Sequence, residues 1–339
     1  MYKIIQNRKI WISVSGVLVV ASLISLMLFG LNFGIDFTGG SLLEVRYNSE
    51  RPSIDEVKER LSNLELKSLI VQEVDDDAMI FRFQNIDEET HQLVLNKLKD
   101  AITETPEIIE NKSDSEDIPT ESTSTEETKL ATGSQQATLE TSESQSIANL
   151  EEMRFDSVGP SIGQELKRKS IYAIILVLIA IVLYIAYAFR KISKPVASWK
   201  FGLTAIIALF HDVIITMGIF ALLGEYMGIE VNTPFVAAIL TVLGYSVNDT
   251  IVVFDRIREN LPRSESNFEE TINISVNQTI TRSINTSVTT LLVLLSIFFF
   301  GGTSIRDFIL ALSIGVFIGT YSSIFLASPV LVIWDKFRN

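Results

Sequence analysis

The chain contains no cysteine. That excludes disulfides, thiolate metal sites and cysteine nucleophiles. It has two histidines in 339 residues, and His211 has no second histidine beside it to complete a metal site. There is no H-E-x-x-H, no P-loop and no dinucleotide fingerprint. No cofactor, no metal, no enzymatic activity and no nucleic-acid partner are therefore expected. Any energy input has to come from an ion gradient or from another protein. One motif imitates chemistry: Gly159-Pro-Ser-Ile-Gly163 fits G-x-S-x-G. A hydrolase would need an acid and a histidine after the serine, on a parallel sheet. The later histidine is His211, inside an apolar run, so the esterase reading is dropped.

Charge of one sign is also confined. The formal net charge is −13, but residues 104–149 hold eleven acidic residues and two lysines, a net of −9. This tract is rich in Ser, Thr and Glu and has almost no large apolar residues, so it is read as a disordered acidic insertion, 104–149.

What the chain has in quantity is hydrocarbon. It is 47% hydrophobic, and a bilayer core takes about 20 apolar residues of helix. Six such spans occur, near Ile10–Gly30, Ser170–Phe189, Phe201–Leu223, Thr233–Phe254, Thr281–Phe300 and Phe308–Trp334. The first is too long for a cleaved signal and reads as an uncleaved anchor. Basic residues cluster on one side: Lys3, Arg8 and Lys9; Arg190, Lys191, Lys194 and Lys200; Arg256, Arg258 and Arg263; Lys336 and Arg338. By the positive-inside rule both termini are cytoplasmic.

The polar block between spans one and two, 32–169, is then outside. It opens on Gly34-Ile-Asp-Phe-Thr-Gly-Gly40. Strands are expected at Ser41–Tyr47, Leu69–Val74, Met79–Phe83 and Glu152–Val158. One helix opens on the capping box Ser53-Ile-Asp-Glu56, and a second is capped by Asp87 and carries Leu93, Val94 and Leu98. The order β-α-β-β-α-β predicts a ferredoxin-like α+β domain. Three segments follow: 1–31, with the first span; 32–169, the outer domain; and 170–339, with five further spans. Near 267–280, Phe268, Ile272, Val276 and Ile280 recur every four residues and predict an amphipathic helix in the cytoplasmic interface.

Within the spans, the costly residues are the informative ones. Asp249 lies in the second half of span four, where a carboxylate costs about 2.5–3.5 kcal/mol on the lenient insertion scale. Tyr245 and Thr241 share its face at four-residue spacing, and Asn248 lies beside it. Such acids usually mark ion or proton paths, so Asp249 is the first relay candidate; a structural carboxylate locked to a partner is the alternative. Arg282 opens span five, with Asn285, Thr286 and Thr289 on the same face. Spans four and five run in opposite directions, which lets Arg282 approach Asp249 or snorkel to the headgroups instead. Asp212, beside His211, is a second relay candidate or a hydrogen-bonding contact between helices. Gly315, Gly319 and Ser323 form a small-xxx-small packing stripe.

Five segments, Gly34–Gly40, Val158–Leu166, Ala208–Val213, Ser246–Asn260 and Thr281–Ser287, together resemble the SecF family, the smaller half of the bacterial SecD–SecF protein-export complex. The likeness covers the whole chain except the acidic insertion. It implies a member of the resistance-nodulation-division superfamily, built from two pseudo-symmetric six-helix bundles, with SecD supplying the second. It further implies association with the SecYEG channel and an exported unfolded polypeptide, in the bacterial cytoplasmic membrane, using the proton-motive force at a late, ATP-independent stage. Asp249 and Arg282 match the positions implicated in proton conduction, Asp212 matches a family motif, and Gly34, Asp36, Gly39 and Gly40 match the glycine motif. Two other readings stand beside this one: half of a proton-coupled small-molecule or lipid exporter, and a passive scaffold of the channel.

Overall fold

A computed structural model describes residues 1–48, 51–64, 66–74, 77–103, 150–188 and 198–336. The acidic insertion and the basic residues Arg190, Lys191, Lys194 and Arg338 lie outside the described residues. The chain divides into a helical unit, Met1–Gly40 with Ser157–Asn339, and an α/β unit, Ser41–Asp156.

In chain order the elements are α1 (Arg8–Leu28), the one-turn α2 (Ile35–Thr38), β1 (Gly40–Tyr47), α3 (Ile54–Leu61), β2 (Ile70–Val74), β3 (Ala78–Phe83), α4 (Glu88–Thr103), β4 (Leu150–Val158), α5 (Pro160–Ala188), α6 (Ser198–Met227), α7 (Thr233–Asn260), α8 (Phe268–Phe300), α9 (Thr303–Ser322), a π-helical segment (Ser323–Ala327) and α10 (Ser328–Lys336). Among the described residues, six helical stretches are long and apolar enough to cross a bilayer: α1, α5, α6, α7, α8 and the continuous rod Ser304–Trp334. These are the six expected spans.

Their ends alternate. At one end, Ile5 N–H donates to Asn273 of α8 (3.2 Å), Asn260 at the end of α7 donates to Ser275 (2.8 Å), and Lys200 at the start of α6 donates to the carbonyl of Trp334 in α10 (3.1 Å). At the other end, the chain leaving α1 pairs with the α6–α7 loop: Val231 N–H donates to Asn32 O (2.7 Å) and Gly34 N–H to Val231 O (2.9 Å).

Small residues let the helices close up. A Cβ on Gly218 of α6 would sit 2.3 Å from Ser22 of α1; one on Gly315 of α9 would sit 2.1 Å from Val242 of α7. Helix association in a membrane relies on such close packing, because lipid is as apolar as the helix surface.

The segment read as an interfacial helix is the first half of α8. This helix runs unbroken for 33 residues, about 50 Å at 1.5 Å per residue, and so exceeds the ~30 Å hydrocarbon core. Ile272, Val276 and Ile280 are buried in the main hydrophobic cluster of the helical unit. The four-residue period reports a protein-facing stripe there; a periodicity alone does not say whether lipid or protein covers the apolar face.

In the α/β unit, β1 and β2 both pair antiparallel with β3, and the sheet order is β2-β3-β1-β4. One face carries Leu43, Val45 and Tyr47 from β1 and Met79, Phe81 and Phe83 from β3. They pack with Val57 and Leu61 of α3 and with Val94, Leu95 and Leu98 of α4. Each such buried side chain contributes about 1.5–3 kcal/mol. Leu93 is exposed and Leu95 takes the core position expected for it, because α4 presents 94, 95 and 98 on one face.

Ser53 and Glu56 form the capping box, which holds the Glu56 carboxyl below its ordinary range. Asp87 accepts from Thr90 N–H (3.0 Å), and the Thr90 hydroxyl, followed by that N–H, holds its carboxyl below its ordinary range. Burial pushes the Tyr47 phenol well above the usual tyrosine range, against the opposing charge of Arg51. Among the described residues the Tyr47 hydroxyl has no hydrogen-bond partner. Tyr47→Phe removes that unsatisfied group while keeping the ring. It is expected to leave the thermal stability of the chain unchanged or to raise it by about 1 kcal/mol; a fall of that size would show that the hydroxyl holds a partner.

Candidate functional site

The glycine motif builds a joint in the helical unit. Gly34 caps α2, and Asp36 accepts a hydrogen bond from Thr233 N–H at the start of α7 (2.8 Å). Gly39 has φ +76°, and a Cβ there would lie 2.8 Å from Pro160 Cα. Gly163 in turn comes so close that its Cβ would lie 3.1 Å from Gly39 N. The G-x-S-x-G imitation is thus the packing partner of the glycine motif: Pro160 opens α5, and Gly163 clears space for the α2 turn. Gly39→Ala combines a left-handed φ with a backbone clash. It is expected to cost more than ~1 kcal/mol, read as a lowered unfolding midpoint. Gly16→Ala, which meets nothing within 4 Å, is the near-zero control; equal effects of the two would contradict the joint.

Asp249 sits where α7, α8 and the π-helical segment meet. Its Oδ1 accepts from Ser283 Oγ of α8 (2.5 Å). Its Oδ2 is buried and has no close hydrogen-bond partner among the described residues. The Ser323 hydroxyl is a weaker hydrogen-bonding neighbour of the carboxyl and the Arg282 guanidinium acts on it through its charge, but among the described residues the ion pairs of α7 belong to Asp255, Arg256, Arg258 and Glu259. The carboxylate is therefore held on one oxygen by a neutral donor, with the cation nearby rather than in contact.

The predicted stripe is divided by the fold. Tyr245 faces inward and its hydroxyl meets Ser287 Oγ (3.0 Å), which meets Thr320 Oγ1 (2.5 Å). Thr241 and Asn248 of α7 are exposed, as are Arg282, Asn285 and Thr286 of α8. Thr241 and Thr286 return their hydroxyls to carbonyls of their own helices. A polar, cationic surface is thus left on the outside of a bundle at membrane depth.

Asp212 is fully buried on α6. Its Oδ2 accepts from Ser246 Oγ of α7 (2.5 Å) and from Ser322 Oγ at the end of α9 (2.9 Å). Its Oδ1 faces His211 Nδ1 at 3.0 Å. Three helices therefore converge on one carboxylate. Ser323 follows, with its Oγ 3.0 Å from Thr250 Oγ1. The π-helical segment begins at Ser323, and such an irregularity is frequent at functional sites. Here Ser322, just before it, meets Asp212, and Ser323, at its start, meets Thr250 of α7.

Ser246, Ser283, Ser287, Thr320 and Ser322 did not emerge from the sequence. A usable signal was present: Ser275, Thr279, Ser283 and Ser287 recur every four residues and are all buried. This is the inner face of α8, offset from the exposed Arg282 face.

The architecture is that of a polytopic helical membrane protein with a polar seam between its spans and a small α/β unit inserted after the first. A family model described as protein export membrane protein SecD/SecF, C-terminal, matches residues 138–337, and the SecD/SecF GG motif matches residues 24–50. The chain belongs to the SecD/SecF family. It is 40% identical over 338 residues to the protein translocase subunit SecF of Thermobaculum terrenum, covering 99% of this chain and 95% of that one. It is 44% identical over 190 residues to the protein translocase subunit SecDF of Thermus thermophilus, covering 54% of this chain and 24% of that one. A crystal structure of SecDF from Thermus thermophilus, reported as a translocon-associated membrane protein, superposes with a TM-score of 0.74 at 28% identity. That match covers 99% of this chain and 39% of that one. Homology to these subunits gives the chain a role in protein translocation.

Proposed function

We propose that the chain is a SecF-type subunit that uses the proton-motive force to assist late-stage protein translocation. Asp249 accepts a proton from outside and releases it to the cytoplasm, while Arg282 adjusts its affinity and opposes leak. The observation that carries this reading is the state of Asp249: one oxygen tied to Ser283, the Ser323 hydroxyl and the Arg282 charge beside it, in a seam of hydroxyls that joins three spans. An intramembrane acid placed in this way is a functional group by default. Asp212, saturated by Ser246, Ser322 and His211, serves as the joint about which the spans move.

SecD is the proposed partner in the membrane. The exposed polar face of Thr241, Asn248, Arg282 and Thr286 supports a second bundle there, since such residues are rarely turned to lipid. The fusion of the two halves in SecDF supports the same pairing. SecYEG and an unfolded exported chain are the further partners proposed, and the translocon association of SecDF supports them. The α/β unit is read as a ferredoxin-like outer domain, supported by its β-α-β-β-α-β order and its sheet order. The gathering of Arg8, Lys9, Arg256, Arg258 and Arg263 at one end of the bundle supports cytoplasmic termini in the bacterial inner membrane.

The test is ATP-depleted translocation into vesicles that contain the chain with its SecD partner. The stimulation given by the pair is expected to vanish when a protonophore collapses the gradient. Stimulation that survives the protonophore would favour a scaffold.

A further inference from the structure

At the basic end of the helical unit, a groove of about 480 Å³ opens between the chain leading into α1 and the middle of α8. Its size is within the ~300–1,000 Å³ range of small-ligand sites. One wall is pinned. Tyr2 N–H donates to Asn277 Oδ1 (2.7 Å), Asn277 and Asn273 donate back to Tyr2 O (2.9 and 3.1 Å), and Arg8 pairs with Glu269. The residues before α1 are therefore built into the fold.

The lining is amphipathic. Ile4, Ile280, Ile284 and Phe325 supply an apolar floor; Lys3, Asn7 and Asn285 supply polar groups at the rim. No carboxylate is among the lining residues. Lys3 is exposed, whereas Arg8, the next cation along the chain, is consumed by Glu269 and the carbonyl of Ile5. Trp11 also lines the groove, tilted against Phe325 with ring centroids 4.2 Å apart, and its buried indole N–H has no acceptor among the described residues. Trp and Lys beside the start of a spanning helix mark the headgroup level. A cation and amides above an apolar floor, at that depth, match a phosphodiester joined to an acyl chain.

We infer that this groove is a binding site for one anionic phospholipid, with its phosphate at Lys3, Asn7 and Asn285 and an acyl chain along Ile280, Ile284 and Phe325. Basic pockets beside spanning helices take such headgroups. Asp249, Arg282 and Ser283 are not among its lining residues. A seated lipid would bind the N-terminal segment to α8 and so stiffen the basic end of the bundle.

The test is native mass spectrometry of the full chain with phosphatidylglycerol, phosphatidylcholine of the same acyl chains, or inorganic phosphate. One phosphatidylglycerol is expected to be retained in preference to phosphatidylcholine, and free phosphate not at all. Lys3→Gln, an exposed change that leaves the fold intact, is expected to weaken phosphatidylglycerol retention about fivefold. Ile284→Trp, which fills the floor, is expected to remove it. Equal retention of the two lipids, retention untouched by Lys3→Gln, phosphate binding as strong as lipid binding, or a partner helix filling the groove in the assembled complex overturns the inference.

Discussion

Asp249→Asn is expected to reduce proton-stimulated secretion to the level seen with a collapsed gradient. The substitution keeps the shape of the side chain. The Ser283 hydroxyl can still donate to the amide oxygen at the place it now occupies on Oδ1, so the α7–α8 contact persists. What disappears is the ability to take up and release a proton. A proton crossing a 100 mV potential yields about 2.3 kcal/mol, a bias of roughly fortyfold between two states of a moving element. Loss of one obligatory proton removes that bias. The amount of chain in the membrane is expected to be unchanged, and this separates lost coupling from lost folding. Ser283→Ala is the companion variant: it frees Oδ1 but keeps the carboxyl group, and is expected to retain part of the stimulation. A normal secretion rate in Asp249→Asn cells would remove the carrier role.

The second large effect belongs to Asp212, and it is an effect on stability. Asp212→Ala would strip the acceptor from the hydroxyls of Ser246 and Ser322 and from His211 Nδ1. Buried donors left unsatisfied cost about 1–3 kcal/mol each, while interhelical hydrogen bonds measured in membranes average near 0.6 kcal/mol. Between these bounds, the variant is expected to lose about 3 kcal/mol in denaturant unfolding of the purified chain. Asp212→Asn retains an acceptor and is expected to recover about half of that loss, with secretion still responding to the gradient. If Asp212→Asn folded normally but abolished the response, Asp212 would itself be a titrating member of the relay.

The two aspartates illustrate how far the sequence could be read. Each stands out as a charge within an apolar run, so the expense of placing it there is visible without coordinates. Their difference in surroundings is not visible. It arises from Ser246, Ser283 and Ser322, which lie 34 to 110 residues from the carboxylates they contact. Serine in a membrane helix has no signature of its own, since it can equally well bond its own backbone, as Thr241 and Thr286 do. The π-helical segment that begins at Ser323 left no trace in the hydrophobic pattern either.

Spans were legible because hydrocarbon thickness sets their length. Faces were less so. Arg282, Asn285 and Thr286 were correctly placed on one face of α8, yet that face is turned away from the Asp212 joint and out of the bundle. A single chain's pattern says which residues lie together and not which neighbour they meet. The glycine motif gives the opposite case. Gly39 and Gly163 stand in two separate family segments, the second of which also imitates a hydrolase motif, and they turn out to be the two sides of one close contact.

Proton flux is the quantity closest to the central claim. Sealed vesicles containing the chain with SecD, given an inward proton gradient and an exported polypeptide engaged in the channel, would be followed with a trapped pH dye. Wild-type pairs are expected to acidify the lumen faster than protein-free vesicles, and Asp249→Asn pairs to match the protein-free rate. Equal acidification by wild type and Asp249→Asn would contradict the account.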